Sequence, residues 1–290
     1  MSIISSLRWR ATLAAGAAAA AVLALALPAG ASTGTAQISP EHAGYSATNA
    51  QFKTVSASVF LRNPEQYATQ VAGYGHSVQL WSSGLVMVLG VSDTTATGSA
   101  AAGFSPAVAV FNRTTHALVA ASANGTIPAQ WCPAGGTCQP ATSGGSFAVG
   151  ATVTERMHYS PATGAATFKA SDAAGDLFTA SYTPGMGVSF TQARVGTEFG
   201  SSPWDASYSY TPPAGFVRIA TYNNVSLTSY SGHTATLWSW WVHHKLLANT
   251  EKQTGSDWVA VPTDLFNGGA SFQTWFVPQS AQSSSQPTAP

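Results

Sequence analysis

Between residues 54 and 61, Val55, Ala57, Val59 and Leu61 alternate with Thr54, Ser56 and Ser58. That period of two predicts a strand with one buried face. Leu85 to Val91 is apolar throughout, as expected of a strand covered on both sides. Further strand-like runs occupy 107–112, 148–159, 165–170, 177–182, 188–199, 216–222, 225–228 and 270–277, and beyond Ser32 helical periodicity is nearly absent. Tyr159-Ser-Pro-Ala-Thr-Gly164 and Asp172-Ala-Ala-Gly-Asp176 carry turn residues and predict two consecutive hairpins around the strand of Phe168. The stretch from Trp238 to Glu251 reads either as a short helix or as an aromatic strand and loop.

These elements predict one all-β domain over 42–278, a two-sheet antiparallel β-sandwich of the jelly-roll kind. Residues 32–41 and 279–290 are expected to be loose, the latter because of Ser283-Ser284-Ser285 and its prolines. At the N-terminus Arg8 and Arg10 precede the nearly unbroken apolar run Ala11–Leu27, then Pro28 and the small-x-small site Ala29-Gly30-Ala31. This is the pattern of a secretory signal peptide over 1–31, cleaved after Ala31, and it predicts an extracellular location. In an oxidising compartment Cys132 and Cys138, the only two cysteines, are expected to form a disulfide across a turn-rich loop.

Charge narrows the function classes. The chain carries 11 Lys+Arg against 11 Asp+Glu, only 8% charged residues, with no basic cluster to neutralise phosphates. Nucleic acid is therefore not an expected partner, nor is a membrane once the leader is removed. No cofactor and no metal are expected: adjacent His243 and His244 point to opposite faces of a strand, and no acidic cluster completes a site. A monomer is expected.

Residues 43–64, beginning Ala43-Gly44-Tyr45 and continuing Phe52-Lys-Thr-Val-Ser-Ala57 to Pro64, resemble the opening strands of the secreted glutamic peptidases, the eqolisins. The resemblance extends to Phe147-Ala-Val-Gly150, to Thr197-Glu198-Phe199, to Phe216–Thr228 and to Gly269-Ala-Ser-Phe-Gln-Thr-Trp275. It implies a concanavalin-A-like sandwich whose concave sheet uses a Glu as general base and a Gln amide to hold the oxyanion. It places Glu198 at the catalytic Glu. At the Gln position it places Val88, an aliphatic group that cannot donate a hydrogen bond, with Gln79 on the preceding strand as the nearest replacement.

On the strand 188–199, Phe190, Gln192, Arg194 and Glu198 share one parity, so Gln192 and Arg194 are candidate ligand-binding neighbours of Glu198. Glu155 shares parity with Val153, Met157 and Tyr159. A carboxyl in an apolar row is either a desolvated general acid or a rim residue paired to Arg156 or Arg194. Trp204 is a candidate binding aromatic, and with Tyr208, Tyr210, Trp238, Trp240 and Trp241 it also suits a sugar-binding face. Two functions remain open. One is a secreted binding protein for an extended extracellular peptide or polysaccharide, with an incomplete dyad. The other is an acid-active endopeptidase using Glu198 with Gln79, Gln192 or Glu155.

Overall fold

A computed structural model describes residues 34–39, 41–48, 50–62, 74–93, 103–123, 146–175, 177–199, 203–204, 215–239, 242–248 and 260–278. The predicted signal peptide, Cys132, Cys138 and the C-terminal tail lie outside the described residues. Among the described residues no helix is long and apolar enough to cross a membrane. The described residues form seventeen strands: β1 (Gly34–Ser39), β2 (His42–Thr48), β3 (Phe52–Phe60), β4 (Tyr74–Ser82), β5 (Leu85–Asp93), β6 (Gly103–Asn112), β7 (Leu118–Ala123), β8 (Phe147–Ala148), β9 (Thr152–Ser160), β10 (Ala165–Ser171), β11 (Leu177–Tyr182), β12 (Phe190–Phe199), β13 (Val217–Ser229), β14 (Thr234–Ala235), β15 (Val242–Ala248), β16 (Ala260–Pro262) and β17 (Phe272–Phe276).

Their pairings form two layers. The first sheet runs β1-β15-β2-β12-β4-β5-β6-β7 and the second β16-β17-β13-β3-β9-β10-β11. All these pairs are antiparallel except β1 with β15, and a single bridge, Ala248 to Ala260, links the layers. The result is an all-β sandwich. The alternation seen in sequence becomes burial: Val153, Glu155, Met157 and Tyr159 of β9 point inward, while Thr152, Thr154 and Arg156 stay exposed. Tyr222 stacks on Phe272 at 4.6 Å and Tyr45 meets the same ring edge-on at 5.1 Å. Burying each such side chain contributes roughly 1.5–3 kcal/mol.

The uninterrupted apolar run in β5 has a two-sided cause. Met87, Leu89 and Val91 enter the main core, whereas Val86 and Val88 join a second cluster with Trp81 and Phe111 on the outer face, beneath Trp204. Both predicted hairpins are present, closing at Ser160–Ala165 and Ser171–Leu177. Gly164 and Gly175 supply positive φ angles of 69° and 96°, which glycine adopts without steric cost.

Two expectations change and one open alternative is decided. Residues 34–39, expected to be loose, form β1, which gains its ladder by pairing in parallel with β15 far along the chain. Phe190 is fully buried against Tyr159 at 5.0 Å instead of sharing the outer face with Gln192. The register between β12 and β4 shifts between Phe190 and Gln192, and one extra residue reverses parity. The segment after Trp238 resolves into a single 3-10 turn, Leu237–Ser239, followed by β15.

Candidate active site

The site lies on the outer face of the first sheet, around β12. This strand is flanked by β2 and β4, so residues on three strands reach one another although they are distant in sequence. Register fixes who faces whom. One row across the sheet reads His244, Ser46, Arg194, Gln79, Val88 and Ala109. The next but one contains His42, Glu198 and Gly75. Between them runs a row of Gly44, Gly196, Ser77 and Gly90.

Two of these glycines are required by close approach. A Cβ on Gly44 would collide with the Val195 carbonyl oxygen, and one on Gly196 would collide with the Ala43 carbonyl and stand 2.6 Å from His42 Nε2. The bare backbone of Gly196 is therefore what lets the His42 ring lie across β12 toward Glu198. His42 Nδ1 is 3.5 Å from Glu198 Oε1.

Three further side chains define the carboxylate. Ser77 Oγ donates to Glu198 Oε1 at 2.7 Å. Gln79 Nε2 donates to the same oxygen and lies 3.4 Å from Ser77 Oγ. Trp81 Nε1 donates to Gln79 Oε1 at 2.5 Å. An indole N–H can only donate, so it holds the amide oxygen of Gln79 and turns the amide nitrogen toward Glu198. Ser77, Gln79 and Trp81 share the outer face because they alternate with Val78 and Leu80, both fully buried in the core. Gln79 itself is 1% exposed, whereas the Glu198 side chain keeps 16% of its surface. Among the described residues no hydrogen bond uses Glu198 Oε2.

The Arg194 guanidinium lies 3.9 Å over the Trp81 ring, a cation–π contact. Burial lowers its pKa to about 10, and the nearby Arg113 adds to that shift, while Glu198 and Glu41 oppose it. Gln192 donates through Nε2 to Ser46 Oγ at 2.7 Å. Trp204 stacks on His116 at 4.1 Å and meets Trp81 and Phe111 edge-on at 5.5 and 5.7 Å. An open cleft of about 590 Å³ adjoins this end of the sheet.

Gln79, Glu198, Gln192, Arg194 and Trp204 thus all belong to the outer face of the first sheet or pack on it. Val88 sits directly across from Gln79, one strand farther from Glu198, so the amide comes from the strand nearer the carboxylate. Glu155 does not belong to this face. It points into the sandwich interior from β9, fully buried, opposite Ala57 and Ala170. Neither rim exposure nor an ion pair to Arg156 or Arg194 describes it. Its oxygens have no hydrogen-bond partner of normal geometry among the described residues. Burial pushes its pKa well up, the charge of Glu198 adds to this, and the backbone N–H of Val91 works against it.

Beneath Glu198 the interior also holds a polar chain. His76 Nδ1 and Tyr222 Oη are 2.9 Å apart, Tyr222 Oη and Thr197 Oγ1 3.0 Å, and Thr197 Oγ1 and Thr274 Oγ1 2.8 Å. Burial drives the pKa of His76 down to about 3, so it stays neutral and belongs to the core. The sequence reading passed over His42, Ser77 and Trp81. A signal for the last two existed in the alternation Ser-x-Gln-x-Trp within an apolar strand. For His42 there was none short of the β2–β12 register.

No protein-family model and no curated protein sequence matches the chain. Among solved structures it is similar to scytalido-glutamic peptidase with a transition state analog inhibitor. The TM-score is 0.50 at 13% sequence identity, covering 82% of this chain and 98% of that one. A second structure of scytalido-glutamic peptidase, with a peptide based transition state analog, gives a TM-score of 0.49 at the same identity and coverage. The chain shares the β-sandwich fold of that peptidase.

Proposed function

We propose that the protein is a hydrolase of the glutamic-peptidase type, acting in acid on peptides outside the cell, with Glu198 as general base and the Gln79 amide as oxyanion donor. The observation that supports this reading over a binding protein with a missing amide is the Gln79–Glu198 contact. An amide whose orientation is set by Trp81 stands on a partly exposed carboxylate.

In this scheme Glu198 takes a proton from a water as the water oxygen attacks the peptide carbonyl carbon, and the carbonyl π electrons move onto oxygen. Gln79 Nε2–H turns to that oxyanion, a positioned donor of the kind that contributes about 10²–10³ in rate. Collapse of the tetrahedral intermediate breaks the C–N bond, and Glu198 returns its proton to the leaving amine. Ser77 donates to Oε1 of the carboxylate, leaving Oε2 for water. The low charge content, 8% of residues, suits acid, because few carboxylates leave few ion pairs to lose on protonation.

The test incubates purified mature protein with a denatured protein substrate from pH 2 to 7 beside Glu198→Gln. Cleavage by the wild type and a drop of about 10³-fold in the variant are expected, within the range for removing a general base. Absence of cleavage, with peptide still retained, would return the protein to the binding class.

A further inference from the structure

The cleft at the end of the first sheet has no role in the chemistry above. It is lined by Thr48, Ala50, Gln51, Arg113, Thr191 and Gln192, so its lining carries one charge. That charge is held in place. Arg113 Nη1 donates to the Ser82 carbonyl oxygen at 2.7 Å, and the guanidinium carbon lies 5.5 Å from the centre of the Trp81 ring. No carboxylate among the described residues pairs with it.

A guanidinium has five N–H donors, and among the described residues the Ser82 carbonyl is the one hydrogen-bond acceptor of Arg113. A planar fork braced against an aromatic face with most donors unspent matches a carboxylate in two-point contact. The place also fits. Trp81 is paired with Gln192 and lies two residues along β4 from Gln79, about 7 Å at strand rise. That is roughly two residues of an extended peptide away from the reacting carbonyl.

We propose that this cleft is a carboxylate-recognising subsite, in which Arg113 takes either an Asp or Glu side chain or the terminal carboxylate of a peptide held across Gln79 and Glu198. The inference rests on the peptide-hydrolase reading of the groove, and it adds an acidic substrate class to it.

The experiment uses matched peptides that differ only by Glu against Gln at successive positions, and by a free against an amidated C-terminus, all at pH 5. The quantity read is the ratio of kcat/KM between each carboxylate peptide and its neutral twin. The wild type should favour the carboxylate about tenfold, the size expected of a charge-assisted contact. The ratio should fall to about one in Arg113→Gln and to an intermediate value in Arg113→Lys, which keeps the charge and loses the fork. The position at which the ratio departs from one separates a side-chain carboxylate from a terminal one.

The same peptides titrated into Glu198→Gln, followed by tryptophan fluorescence, give a Kd ratio that needs no cleavage. If the wild type cleaves nothing while that ratio is present and depends on Arg113, the hydrolase reading fails and the subsite stands. Equal values for both twins, a ratio untouched by either Arg113 variant, or no binding of any peptide would overturn the subsite. Thermal melts establish that each variant is folded. Should Arg113→Gln fail to fold without its Ser82 contact, the comparison with Arg113→Lys carries the result.

Discussion

The molecule places one glutamate on the outer face of the first sheet and another on the inner face of the second, and gives them opposite chemistry. Glu198, on the outer face, has Ser77, Gln79 and His42 gathered on one oxygen and keeps part of its side chain in solvent. Glu155, between the layers, is fully buried and has no hydrogen-bond partner of normal geometry among the described residues. Donors and water stabilise a carboxylate as a base; their removal favours the protonated acid. Residue type fixes neither outcome. What decides is strand parity, which turns the same side chain toward donors in β12 and toward methyl groups in β9. The largest expected difference between the two is therefore catalytic: Glu198→Gln lowers cleavage about 10³-fold, whereas Glu155→Gln leaves the dyad and its donors intact.

The amide can be separated from the carboxylate in the same way. In Gln79→Leu the shape is nearly kept while the donor to the oxyanion and the acceptor for Trp81 are both lost. Cleavage should fall by about 10²-fold, chiefly in kcat, with peptide Kd little changed. A kcat within twofold of wild type would show that the Gln79–Glu198 contact is structural.

Much of this contrast was legible in the chain, and the exceptions share a cause. The hairpins β9–β10–β11 could be read because their turns are local, and the outward row Gln192, Arg194, Glu198 because parity along one strand is local too. Phe190 was misread because a register shift against β4 leaves no mark in the composition of β12. The pairing of Gln79 with Glu198 depends on β4 lying beside β12, a contact between strands more than a hundred positions apart that no spacing encodes. β1 was missed for the same reason, since its partner β15 lies near the other end of the chain.

The interior side of the comparison is tested by pH. Glu155 has its folded pKa raised above the ordinary 4.5. The stability it contributes is fully present below that value and is lost as pH rises toward the folded pKa. His76 has its folded pKa lowered from 6.5 to about 3. Its contribution is present above 6.5 and is lost as pH falls toward 3. Above 4.5 the two oppose each other: below 6.5 the unfolded chain carries a proton on His76, while the folded chain keeps one on Glu155 until the pH reaches its raised pKa, so the slope is flattened. Denaturant titrations should show stability rising with pH from about 3, by up to about 1.4 kcal/mol per pH unit, and flattening above 4.5. Glu155→Gln should remove the flattening, so that the rise due to His76 continues from 4.5 to 6.5. Parallel wild-type and variant curves across the whole range would contradict the neutral buried carboxyl.

The smallest effect belongs to the indole that links these residues. Trp81 touches no reacting atom in the proposed scheme; it acts through Gln79 by occupying the amide oxygen at 2.5 Å. Trp81→Phe keeps the ring under Arg194 and beside Trp204 but removes the donor. The amide is then free to turn its oxygen toward Glu198, an arrangement that repels the carboxylate and offers no donor to an oxyanion. A lost hydrogen bond of this kind is worth about 1–1.5 kcal/mol, so kcat should fall about tenfold while KM moves much less. Trp81→His separates positioning from packing, because a ring N–H in its place can again bind the Gln79 oxygen. Recovery of kcat in the His variant but not in the Phe variant would identify orientation of the amide as the function of Trp81. Equal losses in both, accompanied by equal drops in melting temperature, would reduce it to a packing residue.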